Sequence, residues 1–104
     1  MELAFATKPL REICESEDKA KQKLGTKVAA VLKHRLADLR AAATMSDLPV
    51  GDLTKNADVC ILKLNSTVQM TLCPNHVSKP VLKSGDVDWT KVTRIKITDL
   101  EISA

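Results

Sequence analysis

The stretch from Asp58 to His76, DVCILKLNSTVQMTLCPNH, predicts two strands joined by a tight turn. Asn65-Ser66 fits a two-residue hairpin loop, because asparagine tolerates the positive φ that such loops need. A loop of two residues pairs Leu64 with Thr67, Leu62 with Gln69 and Cys60 with Thr71. Since side chains alternate along a strand, the hairpin is expected to have two distinct faces.

One predicted face of this hairpin is apolar and comprises Val59, Ile61, Val68, Met70 and Leu72. The other face comprises Cys60, Leu62, Leu64, Thr67, Gln69 and Thr71. The apolar face needs a partner that buries it, whereas the face with threonine and glutamine can meet solvent. The pattern therefore predicts an antiparallel sheet with helices packed on one side.

Upstream of the hairpin, the chain predicts one short strand followed by helices. Residues Met1–Ala6 alternate weakly and indicate the strand. Pro9 suits the first turn of a helix, Ser16 gives a second helix-start signal, and Gly25 ends the helix, so that two helices join at Gly25. Thr26 is expected to cap the next helix, which has the strongest helical periodicity in the chain. Its apolar stripe comprises Val28, Val31, Leu32, Leu36, Leu39 and Ala43.

Downstream, Met45–Asn56 and Pro74–Asp88 are predicted to be loops, and Trp89–Ile102 a long strand. In that strand Ile95 and Ile97 are expected on one face, and Arg94, Lys96 and Thr98 on the other. The alternation breaks at Asp99-Leu100, which indicates a bulge or the strand end. The order is thus β-α-α-β-β-β, an α+β fold with a helical pair on an antiparallel sheet, in one domain over residues 1–104.

Composition narrows the classes of function. The net charge of +3 is a mild basic bias, which is compatible with nucleic acid. One Phe, one Trp and no Tyr argue against a protein that stacks bases on aromatic side chains. No apolar run approaches the ~20 residues of a membrane helix, and the first residues lack the pattern of a secretory signal. Three cysteines without C-x-x-C spacing indicate reduced thiols in a cytoplasmic protein, with no metal site or cofactor motif.

The polar side chains of the predicted sheet are the candidate site. If Arg94 and Lys96 lie beside Gln69 and Thr71, that face combines two cations with an amide and a hydroxyl, a set that can hold phosphates. A solvated strand face explains the same pattern. His76 is a candidate general acid or base, or else a loop histidine without a role.

Five segments of the chain resemble the HigB-type plasmid-maintenance killer toxins of the RelE/ParE superfamily. They are AFATKPLREICES, KLGTKVAAVLKHRLADLRAA, SDLPVGDL, LNSTVQMTLCPNH and VDWTKVTRIKITDLE, in the order and spacing of the family. The resemblance implies a β-α-α-β-β-β fold and a bacterial toxin that cuts mRNA in the ribosome. It also implies a helix-turn-helix antitoxin as partner, and no membrane or small-molecule cofactor.

The resemblance extends to site residues, with two departures. Arg94 and Lys96 match basic positions of the family's last strand, and His76 matches a histidine frequent in this branch. Gln69 stands where the family usually has arginine, and Ile102-Ser103-Ala104 replaces the usual Asp-Tyr-His ending. We expect His76 to be the proton-transfer group and Gln69 to orient RNA. The expected phosphate-binding residues are Arg94, Lys96, Lys55 and Thr71.

Two alternatives to an active toxin follow from these departures. The chain could be a degenerate member of the family that binds antitoxin, ribosome or RNA and cuts nothing. It could also be an unrelated α+β module whose likeness is limited to the fold. Translation arrest on expression separates the active toxin from both alternatives.

Overall fold

A computed structural model describes residues 1–48, 53–56 and 58–102. Residues 49–52 of the predicted loop Met45–Asn56, residue 57 and the C-terminal Ser103-Ala104 lie outside the described residues. The described chain is α+β, with three helices and a five-stranded sheet. The helices are α1 Lys8–Glu15, α2 Glu17–Leu24 and α3 Thr26–Ala41. The strands are β1 Glu2–Phe5, β2 Leu53–Lys55, β3 Cys60–Lys63, β4 Val68–Pro74 and β5 Arg94–Ile102.

The helix boundaries follow local sequence signals. Pro9 lies in the first turn of α1, and the Ser16 hydroxyl accepts a 3.3 Å hydrogen bond from the Lys19 amide at the start of α2. Gly25 ends α2 at φ +84°, a conformation that favours glycine. Thr26 is the first residue of α3 and does not cap it, contrary to prediction. The predicted helical pair is therefore three helices, since Ser16 separates α1 from α2.

The sheet is mixed and has the strand order β1-β5-β4-β3-β2. The predicted antiparallel sheet is wrong at one edge, because β1 pairs in parallel with β5, with Leu3 facing Ile95. A parallel pair needs a long crossover connection, which the three helices and the chain after them provide. Strand β2 lies in a segment whose sequence predicts a loop. It has three residues, and Thr54 and Lys55 are exposed, so no apolar alternation marks it.

The β3–β4 hairpin has a three-residue loop, and the predicted two-residue loop is wrong. The Asn65 side-chain oxygen accepts hydrogen bonds from the amides of Thr67 (2.8 Å) and Val68 (2.7 Å), which holds the longer loop. The Leu64 amide donates to the Val68 carbonyl at 2.8 Å. A slip of one residue moves every side chain of one strand to the other face.

In the observed register, β3 turns to the core the side chains that were expected on the opposite side of the sheet. Cys60 faces Leu72 and Leu62 faces Met70, and all four are buried. Ile61, predicted on the buried face, faces Thr71 on the opposite side of the sheet. The apolar side of the hairpin therefore comprises Cys60, Leu62, Val68, Met70 and Leu72.

Strand β5 begins later than predicted. Trp89–Lys91 forms a short 3₁₀ helix, and the Asp88 carboxylate accepts a hydrogen bond of 3.2 Å from the Thr90 amide at its start. Thr71 faces Asp99 whereas Leu72 faces Ile97, so Thr98 is an extra residue on β5. The predicted irregularity is confirmed as a bulge, one residue before the predicted position.

The core lies between the helices and one side of the sheet. Leu32, Leu36 and Leu39 of α3 are buried there together with Ile95 and Ile97 of β5, as predicted. Val28 and Val31 pack at its border, and Ala43 is exposed. Among the described helices, none is long and apolar enough to cross a membrane.

Candidate nucleic-acid interface

The sheet has one side that the helices do not cover, which we call the open face. Along β4 and β5 buried residues alternate with half-buried or exposed ones, because every second side chain points away from the core. The open face of these two strands carries Gln69, Thr71, Cys73, Arg94, Lys96, Asp99 and Glu101. The register of the strands decides which of these side chains meet.

Arg94 and Lys96 lie at one end of the open face. Lys96 faces Cys73 across the ladder and has no acid partner among the described residues. Arg94 lies beside Glu2 of β1, and its Nε donates to the Glu2 carboxylate at 2.9 Å. Both members of this pair are more than half exposed, so it contributes at most about 1 kcal/mol to stability. A phosphate that binds Arg94 competes with the carboxylate of Glu2.

His76 belongs to the same end of the sheet. Its Nε2 accepts a 3.1 Å hydrogen bond from the Thr93 amide, and the Asn75 amide donates to the Arg94 carbonyl at 2.9 Å. These two bonds tie the segment after β4 to the start of β5. The bond at Nε2 uses the lone pair of that nitrogen and orients the ring against the backbone of Thr93. We call His76, Arg94 and Lys96 the cationic end.

Gln69 lies at the other end, and its predicted position beside Arg94 and Lys96 is wrong. It faces Lys63 on β3 and Glu101 on β5, and its amide donates to the Glu101 carboxylate at 3.0 Å. Gln69 precedes Cys73, the residue that faces Lys96, by four positions, a distance of about 13 Å along a strand. Antiparallel pairing sets the first residues of β4 against the last residues of β5. Gln69 is therefore far along the sheet from Arg94 and Lys96, which lie at the start of β5.

Thr71 and Lys55 also differ from the prediction. Thr71 lies on the open face but meets Asp99, and its carbonyl accepts a 3.3 Å hydrogen bond from the Thr98 hydroxyl. Lys55 lies on the edge strand β2 and faces Cys60, whose side chain is in the core. Lys55 therefore lies three strands away from Lys96, about 14 Å, and toward the opposite side of the sheet.

Two cysteines are protonated thiols at neutral pH. Burial raises the pKa of Cys60 to about 11, an effect that the charge of nearby Lys55 opposes. Burial also raises the pKa of Cys14 to about 11, which Arg40 opposes and Glu15 reinforces. Because the thiolate is the reactive form, neither side chain is an activated nucleophile.

Sequence reasoning missed the charged neighbours of the candidate residues. Glu2 pairs with Arg94 only because β1 lies beside β5 in parallel, which no local pattern indicates. Glu101 and Lys63 meet Gln69 through strand register, which depends on the hairpin loop and on the bulge at Thr98. The alternation of β5 did carry a signal for Glu101, which follows Asp99 at the spacing of one strand face.

Comparison of the chain with protein-family models, with curated proteins and with solved structures gave no match.

Proposed function

We propose that this chain is the toxin of a bacterial type II toxin–antitoxin system, of the HigB and RelE type, that acts on mRNA in the ribosome. The observation that carries the proposal is the cationic end, where Arg94 and Lys96 share the open face and the Thr93 amide, next to Arg94 in the chain, binds the ring of His76. The five segments that resemble HigB-type toxins add to it. Because it would act on the ribosome, we expect it to work in the cytoplasm. Its proposed partner is a helix-turn-helix antitoxin, which the resemblance implies.

The cationic end has the chemistry that RNA backbone binding requires. Arg94 offers a planar guanidinium that suits a phosphate, and Lys96 adds a compact positive charge two residues further along β5. His76 is the proposed proton-transfer group, and it must release the Thr93 amide to offer Nε2 to the substrate. Cleavage by this chemistry forms a bond from the ribose 2′ oxygen to phosphorus and breaks the bond to the 5′ oxygen, with protons leaving the first and reaching the second.

Catalysis is expected to be weak, because the open face supplies one proton-transfer candidate and few charges around it. General acid–base groups contribute about 10²–10⁴ each to a rate, and one positioned charge-stabilising donor about 10²–10³. Gln69 carries no charge and is bonded to Glu101, about 13 Å along the strand from the level of Lys96. The proposed enzyme therefore lacks a cation that a full site would hold.

The bond between Gln69 and Glu101 favours a second candidate function, a toxin-like protein that binds ribosome, RNA or antitoxin without cutting. In that case Arg94 and Lys96 bind phosphates, while Asp99 and Glu101, which outnumber Lys63 at the other end of the open face, bind them less well. The active toxin and the binding-only protein share the RNA-binding surface and differ only in whether the bound mRNA is cut.

Induced expression followed by sequencing of mRNA 5′ ends tests the proposal. An active toxin produces new 5′ ends within translated reading frames, and an inhibitor of translation initiation removes them. Ribosome binding without new ends supports the second candidate. Absence of new ends and of ribosome, RNA and antitoxin binding contradicts both.

A further inference from the structure

A groove of about 400 Å³ lies on the helical side of the molecule, between the α1–α2 junction and α3. Its apolar lining comprises Ile13, Cys14, Ala20, Ala29 and Leu32. None of these residues belongs to the open face, so the groove is separate from the candidate nucleic-acid interface. Small side chains in the lining leave room for one apolar side chain of another molecule.

The groove has a charged rim, and its unpaired charges are all positive among the described residues. Glu15 and Glu17 line the rim, and each forms an exposed ion pair, with Arg11 at 3.8 Å and with Lys21 at 3.6 Å. On the opposite rim Lys33 and Arg40 are exposed and make no ion pair within the part of the chain that the structure describes. A ligand of this groove therefore gains from negative charge on the α3 side.

The spacing of the two cations specifies the ligand further. Lys33 and Arg40 are seven residues apart on α3, which is two helical turns or about 10.5 Å. Ala37 is exposed on the same face between them, so a second helix can approach α3 closely. Two carboxylates seven residues apart on a neighbouring helix match this spacing.

We propose that the groove binds an acidic amphipathic helix of a protein partner, with an apolar side chain in the groove and two carboxylates over Lys33 and Arg40. A central apolar anchor with flanking charges is the usual composition of a strong contact in such interfaces. The proposal does not rest on RNA binding or cleavage, because it uses the opposite side of the protein.

Two other occupants fit less well. A second copy of this chain lacks the required helix, because no described helix has two acidic residues seven positions apart. A small amphipathic carboxylate is also less suitable. Good small-molecule sites bury about 70–90% of the ligand, and this groove lies at the surface with the exposed Lys33 and Arg40 in its lining.

The test measures fluorescence anisotropy of the full chain with a labelled, stapled helical peptide. The peptide is alanine-based, with two glutamates seven residues apart and a leucine between them. A second peptide has lysine in place of each glutamate. The protein variants are Lys33→Glu with Arg40→Glu, and Lys27→Glu as a matched charge reversal on the same helix outside the groove.

We expect the acidic peptide to bind at least about tenfold more tightly than the lysine peptide, which corresponds to about 1.4 kcal/mol. The double variant reverses this preference, whereas Lys27→Glu changes affinity less than about twofold. Equal binding of both peptides, no binding at about 1 mM, or an equal effect of Lys27→Glu overturns the proposal. Octanoate that binds as tightly as the acidic peptide, and is lost in the double variant, also overturns it in favour of a small anion.

Discussion

Gln69 and Glu101 face each other across β4 and β5, and the Gln69 amide donates a 3.0 Å hydrogen bond to the Glu101 carboxylate. The pair sets the charge of one end of the open face, where Asp99 is a second acid. The cationic end lies at the other end of the same two strands. The charge of the open face therefore changes from positive to negative along the two strands. An RNA backbone is expected to bind at the cationic end.

Gln69→Arg alone is expected to leave mRNA cleavage within about threefold of the wild type. The new guanidinium meets Glu101 directly, and a cross-strand ion pair of this kind holds it away from phosphate. Gln69→Arg combined with Glu101→Gln is expected to raise cleavage by about tenfold, because one acid fewer and one cation more on the open face hold the mRNA backbone more tightly.

Cleavage is measured in a purified translation system with a defined mRNA. Equal rates for the single and the double variant would mean that Glu101 does not restrain residue 69. A loss of cleavage in the double variant would contradict the role given to charge at this position.

Glu2→Gln is expected to strengthen RNA binding, because it releases Arg94 from its carboxylate partner. The effect on stability is expected to stay below about 1 kcal/mol, since both side chains are more than half exposed. Affinity for a short single-stranded RNA at two salt concentrations measures the change. Glu12→Gln, which removes a carboxylate paired with Lys19 on the helical side, is the matched control. Equal gains in RNA affinity from Glu2→Gln and Glu12→Gln would indicate that the change in net charge, and not the release of Arg94, causes the effect.

The register of the hairpin predicts that truncating two neighbouring side chains of β3 to alanine lowers the stability of the protein by different amounts. Leu62→Ala should destabilise the protein by about 2–5 kcal/mol, because Leu62 is fully buried opposite Met70. Ile61→Ala should cost clearly less, because Ile61 lies on the open face. Urea unfolding of both variants decides between this register and one slipped by a residue, which would reverse the order.

Cys60 is expected to make stability fall at high pH. Burial raises the pKa of the Cys60 thiol from 9.0 to about 11, so the unfolded chain loses the proton first. The contribution is fully present below pH 9 and is lost as the pH rises from 9 through about 11. Cys60→Ala should remove this loss, so the stability gap between wild type and variant should narrow by about 2–3 kcal/mol over that range. A constant gap in urea unfolding at pH 8 and pH 11 would contradict the burial of the thiol.

The parts of the fold that local sequence determines were predictable. Ser16 and Gly25 mark helix ends through their own backbone and side-chain preferences, and the alternation of Ile95 and Ile97 marks the core side of β5. The hairpin register was not predictable from the turn residues alone, because the Asn65 side chain stabilises a loop one residue longer.

The candidate site was predictable only in part, for the same reason. Arg94 and Lys96 share a face because they are two residues apart on one strand, which is a local property. The position of Gln69 depends on the hairpin loop and the bulge together, and the pairing of Arg94 with Glu2 depends on β1 lying beside β5. Long-range strand pairing leaves no periodic signal in the sequence.

Sedimentation of the protein with ribosomes from induced cells tests the proposed function most directly. The account predicts that the wild type pellets with ribosomes and that Arg94→Ala with Lys96→Ala abolishes this, while Lys55→Ala, toward the opposite side of the sheet, has little effect. Affinity of the double variant for RNA should also depend less on salt, with a log–log slope smaller by about 0.7 for each lost phosphate contact. Wild-type protein that stays in the supernatant, or a double variant that pellets as well as the wild type, would contradict it.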